Sequence, residues 1–354
     1  MRLGYVGSAN AHEHSLTWWA KNRQDPDRAL HLVRTWAWSP WLQECQQRLG
    51  HALHERTPLP NTWKEVAIVR VCGRVSSHYE LYHHLPLARA TGLDESVLAV
   101  ALDPEMRDLE SLDTPWRVLL ELADALDDGA HLTHPLWARV ADAMTLDQLV
   151  AYNAVVGYWR TNARLALACE LDEEPWMHPA SDTRPVDPGS PLGLPRGGIP
   201  GSWQALGPPE AAILSPRGQE WLARGGAELA LLAHVWSWVE DLQVANQRWW
   251  QCLIGPEVEL AAGLRRWVAN HACERVGARA MAAMVSEAFP PTPQAPDADV
   301  AAFVDQWESA APIDASLTER LLQHRGRRQI VEIQLVLGFI GTQARLTNLM
   351  DGPR

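Results

Sequence analysis

The chain repeats itself. The segment QLVAYNAVVGYWRTNARL at 148–165 lines up with QIVEIQLVLGFIGTQARL at 329–346 at a constant offset of 181. Eight of these positions are identical: Gln, Val, Val, Gly, Thr, Ala, Arg and Leu. Trp36-x-Trp38 answers to Trp236-x-Trp238 at an offset of 200, and Glu65 to Glu259 at 194. A chain written twice must bury the same apolar faces twice, so the expected architecture is one helical unit in tandem. Falling offsets imply shorter loops in the second unit. Residues 1–174 form the expected first unit, 175–218 a joining stretch, and 219–354 the second unit.

Each unit reads as helical. Residues 146–170 carry apolar side chains at helical spacing, with Gly157 as their one Gly or Pro. Helices are also expected at 115–127 and 135–144, and from DESVLAVAL, with Asp94 as its cap. Two more should fill 16–55. No stretch alternates with period two for long, so the expected class is all-α. The joining stretch holds ten of the 25 prolines, which is too punctuated for a helix. It reads as a linker or as a long irregular excursion, and the pattern leaves open whether it covers a surface.

Carboxylates and imidazoles crowd together in residues 62–92, TWKEVAIVRVCGRVSSHYELYHHLPLARATG. Val66, Val69 and Cys72/Gly73 form one apolar stripe over 65–74. Thr62 with Glu65 three residues on has the form of a capping box, and Pro60 stands just ahead. A second short helix should carry Glu80 and His84 four residues apart on one face. Pro86 suits the first turn of a further helix that Gly92 closes. Two carboxylates and one or two imidazoles therefore meet where two helices pack.

This stretch resembles the carboxymuconolactone decarboxylase and alkylhydroperoxidase D superfamily. Its peroxidase branch carries a glutamate, a Cys-x-x-Cys pair, and a histidine four residues after the second cysteine. Counted from Glu65, those positions are Ser77, Glu80 and His84. The wording HYELYHHLPLARATGL is similar to the cysteine-free branch. The likeness continues through DTPWRVLLELADAL and LDQLVAYNAVVGYWRTNARL, covering about 16–172. It implies two tandem alkylhydroperoxidase D-like helical repeats and a site at Glu65, Glu80 and His84. Family members assemble as trimers or hexamers of single units, so a fused pair is expected as a low-order homo-oligomer or a monomer. In the second unit the same spacings from Glu259 give His271, Glu274 and Ala278. That copy is expected to be degenerate, because it lacks the terminal histidine.

The missing cysteines decide the chemistry. Peroxide reduction needs a thiolate and a resolving thiol. Cys45, Cys72, Cys169, Cys252 and Cys273 contain no CxxC pair and no zinc spacing. What remains is cofactor-independent proton transfer: decarboxylation, isomerisation, elimination or ring closure. Glu80 and His84 are the expected acid/base pair, and Glu65 orients the histidine. His83 and Tyr79 are further catalytic candidates. Ser77, Arg74, Trp159, Trp36 and Trp38 are the substrate-binding candidates, and Arg70 and Arg160 could also meet a substrate carboxylate. Glu80-x-x-His83 has the spacing used in di-iron bundles, but such sites need two motifs and one occurs in a suitable setting. No metal and no cofactor is expected.

Eighteen tryptophans either fill helical cores or line a cavity for a flat apolar ligand. The expected partner is a small apolar molecule bearing a carbonyl, of the kind met in secondary metabolism. A non-catalytic ligand-binding or scaffold protein is the alternative. A net charge of −12 with no basic stripe disfavours nucleic acid. No run reaches about 18 apolar residues, so no membrane span is expected. An odd cysteine count and a start without a long apolar segment fit the cytoplasm.

Overall fold

The computed structural model describes residues 3–103, 105–129, 131–177, 236, 239–289, 297–309 and 313–350. Regular structure among them is helical throughout, with no strand. The N-terminal half contributes α1 (Glu13–Lys21), α2 (His31–Trp36), α3 (Pro40–Glu55), α4 (Asn61–Val75) and α5 (His78–Ala90). It continues with α6 (Glu95–Leu102), α7 (Thr114–Asp127), α8 (His134–Ala143) and α9 (Leu146–Ala168). The C-terminal half contributes α10 (Glu240–Ile254), α11 (Ala262–Arg275), α12 (Arg279–Ala288), α13 (Ala298–Glu308) and α14 (Ala315–Met350). Of the joining stretch 175–218, residues 178–218 lie outside the described residues, as does Trp238. Among the described residues no helix is long and apolar enough to cross a membrane.

Two expected boundaries move. Residues 16–55 form parts of three helices, because α2 stops at Trp36 and Pro40 sits in the first turn of α3. Pro86 opens no new helix; α5 runs through it to Ala90. Proline there costs one backbone hydrogen bond to the Tyr82 carbonyl. Tyr82 is only half-buried, so water can satisfy that oxygen. Gly92 (φ 88°) then ends the segment, as expected.

The core centres on α9, which is buried along nearly its whole length and packs on α4 and α14. On α4, Val66, Ile68, Val69 and Val71 are all buried, and each such side chain contributes about 1.5–3 kcal/mol. Where α9 meets α14, the two helices exchange the same contact. A Cβ built on Gly157 would lie 2.2 Å from Oγ1 of Thr342, and one on Gly338 would lie 2.1 Å from Cγ2 of Thr161. Each threonine also folds onto its own helix: Thr161 donates to the Gly157 carbonyl (2.7 Å) and Thr342 to that of Gly338 (2.8 Å).

The offset of 181 extends beyond the matched segment. Shifted by it, α8 falls on 315–324 and α9 on 327–349. Gly326 (φ 72°, ψ 169°) breaks α14 at the position that answers to Thr145, the N-cap of α9. For α4 and α11 the register is 201 rather than 194. Ser77 N–H donates to Cys72 O (3.0 Å) and Ala278 N–H to Cys273 O (2.9 Å), just after left-handed Ser76 and Gly277. The expected pairing of Glu65 with Glu259 is therefore two helical turns out. A seven-residue slip keeps a helix's apolar face in place, so the pattern alone does not penalise it.

Candidate functional site

Ser76, left-handed at φ 59°, turns the chain from α4 into α5. Ser77 caps α5, its hydroxyl accepting from the Glu80 N–H. This turn lays α5 against α4 and brings His84 to Glu65, with Nδ1 2.9 Å from Oε2. The Thr62–Glu65 capping box does not form, because the N-cap is Pro60 and Thr62 lies inside the first turn. The Glu65 carboxylate serves His84 instead.

On the other side of the ring, the Trp159 indole donates to His84 Nε2 at 2.8 Å. An indole N–H only donates, so Nε2 carries the lone pair and Nδ1 carries the proton that Glu65 accepts. Glu80 Oε2 lies 3.8 Å from the same Nε2. Glu80 Oε1 is buried with no hydrogen-bond partner among the described residues.

The charges are finely opposed. Burial works against a charge on His84, but Glu65 first and Glu80 second outweigh it and lift the imidazole pKa above its ordinary value. Burial also lifts the Glu80 carboxyl above the usual range, although His84 and His83 pull the other way. Glu80 and His84 thus titrate toward one another, and their protons belong to the pair.

Glu174, just beyond α9, organises a second network. Its Oε1 accepts from the Tyr79 hydroxyl and from the His31 N–H, both at 2.6 Å, and His83 Nε2 stands 2.8 Å from Oε2. Burial opposes its charge, yet His83, Tyr79 and the His31 amide hold its pKa below the ordinary range. Sequence reasoning missed Glu174 and His31, which have no periodic or motif signal linking them to α5. It also missed His54, whose ring lies parallel to His84 with centroids 6.3 Å apart. The Lys64 ammonium donates to the His54 carbonyl (2.6 Å). Desolvation, then the positive charge of a protonated His84 and of the Lys64 ammonium, push the His54 pKa down.

These groups border a cavity of about 350 Å³ between α2, α3, α5 and α9. That volume suits a small ligand. Glu80, His83, His84 and Tyr79 supply its polar side, and Trp36, Trp159, Leu32 and Val33 much of its apolar wall. Glu65 stands behind His84 rather than on the wall. Three expected binding residues are elsewhere. Ser77 is used as a helix cap, and Trp38 is half-buried, donating to the Gly4 carbonyl at 3.0 Å. Arg74 is taken by Asp124, Asp127 and Asp128. Arg70 and Arg160 also bind carboxylates away from this cavity, Arg70 on Asp124 and Arg160 on Asp127 and Glu308.

Among the described residues the second half carries no matching polar set. At the register of 201, Glu65, Glu80 and His84 answer to Arg266, Met281 and Val285, and at 181 Trp159 answers to Ile340. Glu259 is exposed and takes Gln329 and Arg328, Glu274 is exposed, and His271 meets Asp305 (3.2 Å). A buried carboxylate does exist there: Glu332 accepts from the Glu259 and Leu260 N–H groups, Arg328 and Ser39, which makes it a fastener between helices. No protein-family model matches the chain, and a search of curated proteins returns no match.

Proposed function

We propose that the chain is a tandem pair of alkylhydroperoxidase D-like helical units whose first unit is a cofactor-independent acid/base enzyme. The observation that carries this reading is the buried Glu65–His84–Glu80 array at the wall of a ligand-sized, largely apolar cavity. Glu80 is the proton carrier. Glu80 lines the space where a substrate would sit, its buried Oε1 has no hydrogen-bond partner among the described residues, and its raised pKa makes it a stronger base than an exposed carboxylate. Burial raises that pKa and His84, pinned by Glu65 and Trp159, modulates it: neutral it leaves Glu80 basic, protonated it makes Glu80 easier to ionise.

The substrate class is a small apolar carbonyl compound. A proton leaves the carbon beside the carbonyl for the Glu80 carboxylate, and the C–H electron pair passes into an enolate. Return of the proton to another carbon gives an isomer, and loss of carbon dioxide from a β-keto acid reaches the same enolate. Such a general base contributes about 10²- to 10⁴-fold in rate. Peroxidase chemistry is disfavoured, since Cys72 and the other cysteines lack a partner at CxxC spacing. A cytoplasmic setting and a low-order homo-oligomer or monomer complete the proposal.

One observation favours a second reading, a non-catalytic binding protein: the Trp159 N–H occupies the His84 lone pair. Native mass spectrometry of the purified protein separates the two. A retained molecule converted to product on incubation supports the enzyme, and one released chemically unchanged supports the binding protein.

A further inference from the structure

A second cavity, of about 220 Å³, lies between the two halves and has a different chemistry. Five arginines border it, Arg74, Arg160, Arg164, Arg275 and Arg345, against three carboxylates, Asp127, Asp128 and Glu308. Six of these eight fall into matched pairs. Arg164 answers to Arg345 and Asp127 to Glu308 at 181, and Arg74 answers to Arg275 at 201.

The carboxylates are already engaged. Arg160 bridges Asp127 (2.9 Å) and Glu308 (3.1 Å), and Arg74 holds Asp127 (2.9 Å) and Asp128. Three guanidinium groups remain. Arg164 and Arg345 are 3% and 4% exposed, and they donate to backbone oxygens. Arg164 donates to Trp307 O (2.7 Å), and Arg345 to Asp127 O and Gly341 O (both 3.0 Å). Arg275, exposed at the rim, has no ion-pair partner among the described residues.

Arginines at the last carbonyls of α7 and α13 are helix caps, and that accounts for these backbone bonds. It does not account for a space of this size kept open beside two buried guanidinium groups with no carboxylate at ion-pair distance among the described residues. Burial presses both Arg164 and Arg345 down to about 10, so each would gain from an anion. We propose that this cavity binds a small doubly charged oxyanion of the phosphate type, whose charge offsets the excess of two guanidinium groups and joins the two halves. Planar guanidinium forks suit such oxygens.

The test is thermal unfolding and calorimetry with inorganic phosphate, with glycerol phosphate as a monoester, and with chloride at matched ionic strength. Phosphate should raise the melting temperature to a plateau with one site per chain, and chloride should not. Arg275→Ala, on an exposed side chain, should weaken binding at least about tenfold, and Arg275→Glu should abolish it. Tighter binding of the monoester would assign the site to a metabolite's phosphoryl group; tighter binding of free phosphate would assign it to the ion. Equal stabilisation by phosphate and chloride, or full phosphate affinity in Arg275→Glu, would overturn the proposal. Arg345→Met adds a probe of the buried cation where it folds, but the decisive variant is Arg275→Glu.

Discussion

The indole N–H of Trp159 is aimed at Nε2 of His84, 2.8 Å away, and fixes which ring nitrogen carries the proton. A donor to the neutral ring stabilises the neutral ring. Removing it in Trp159→Phe should therefore move the His84 pKa further above its ordinary value. Titration of the imidazole signals by nuclear magnetic resonance checks this. An unchanged or lowered pKa would mean that the indole does not hold Nε2.

Glu65 acts in the opposite sense. It is the largest contributor raising the His84 pKa, so Glu65→Gln should bring that pKa down, leaving Glu80 alone against burial. The sign for stability follows from linkage. A histidine raised above its unfolded value contributes stability that is fully present below about pH 6.5 and is lost as pH rises through the folded pKa. Glu80, also raised, adds a loss in the same direction as pH climbs past the ordinary carboxylate range. Urea titrations from pH 5 to 9 should show the stability gap between wild type and Glu65→Gln narrowing as pH rises. A gap that widens would contradict the assignment.

The interlock of α9 with α14 is open to a direct test. Gly157→Ala drives a methyl group into Thr342 and should cost about 1–3 kcal/mol by overpacking. Adding Thr342→Ala should recover part of that loss, since the two sites share one contact. Additive losses in the double variant, measured by urea unfolding, would show that the helices do not meet there.

The helices and the shared face of Glu80 and His84 are legible because periodicity and an i,i+4 spacing are local signals, whereas Glu65, 19 residues from His84, is placed there by the family resemblance. Glu174 is not legible, since it reaches Tyr79 from 95 residues away through a segment with no repeat of its own. The register of the second half differs from the expected one by two turns, a slip that leaves an apolar helical face nearly unchanged and so hides from the sequence pattern. The arginine cavity was hidden for a related reason. Its members are spread over α4, α9, α11 and α14, and become one cluster only when the two halves pack.

The two halves should differ sharply in function. Glu274, the residue that spacing alone matched to Glu80, is exposed at the end of α11 and borders neither the acid/base cavity nor the arginine cavity. Glu274→Gln should leave stability within about 0.5 kcal/mol of wild type and turnover unchanged, judged by urea unfolding and activity. Loss of turnover in Glu274→Gln at full stability would move the site to the second half.

Under the proposed function, Glu80 moves a proton to and from a carbonyl compound bound beside it. The most direct measurement is deuterium wash-in: β-keto acids, enones and lactones are incubated with the protein in D2O, and incorporation at carbon is followed by mass spectrometry. For the responsive compound, Glu80→Gln and His84→Ala should each lower incorporation by about 10²- to 10⁴-fold while circular dichroism stays that of the wild type. Incorporation at the wild-type rate in both folded variants would contradict the account.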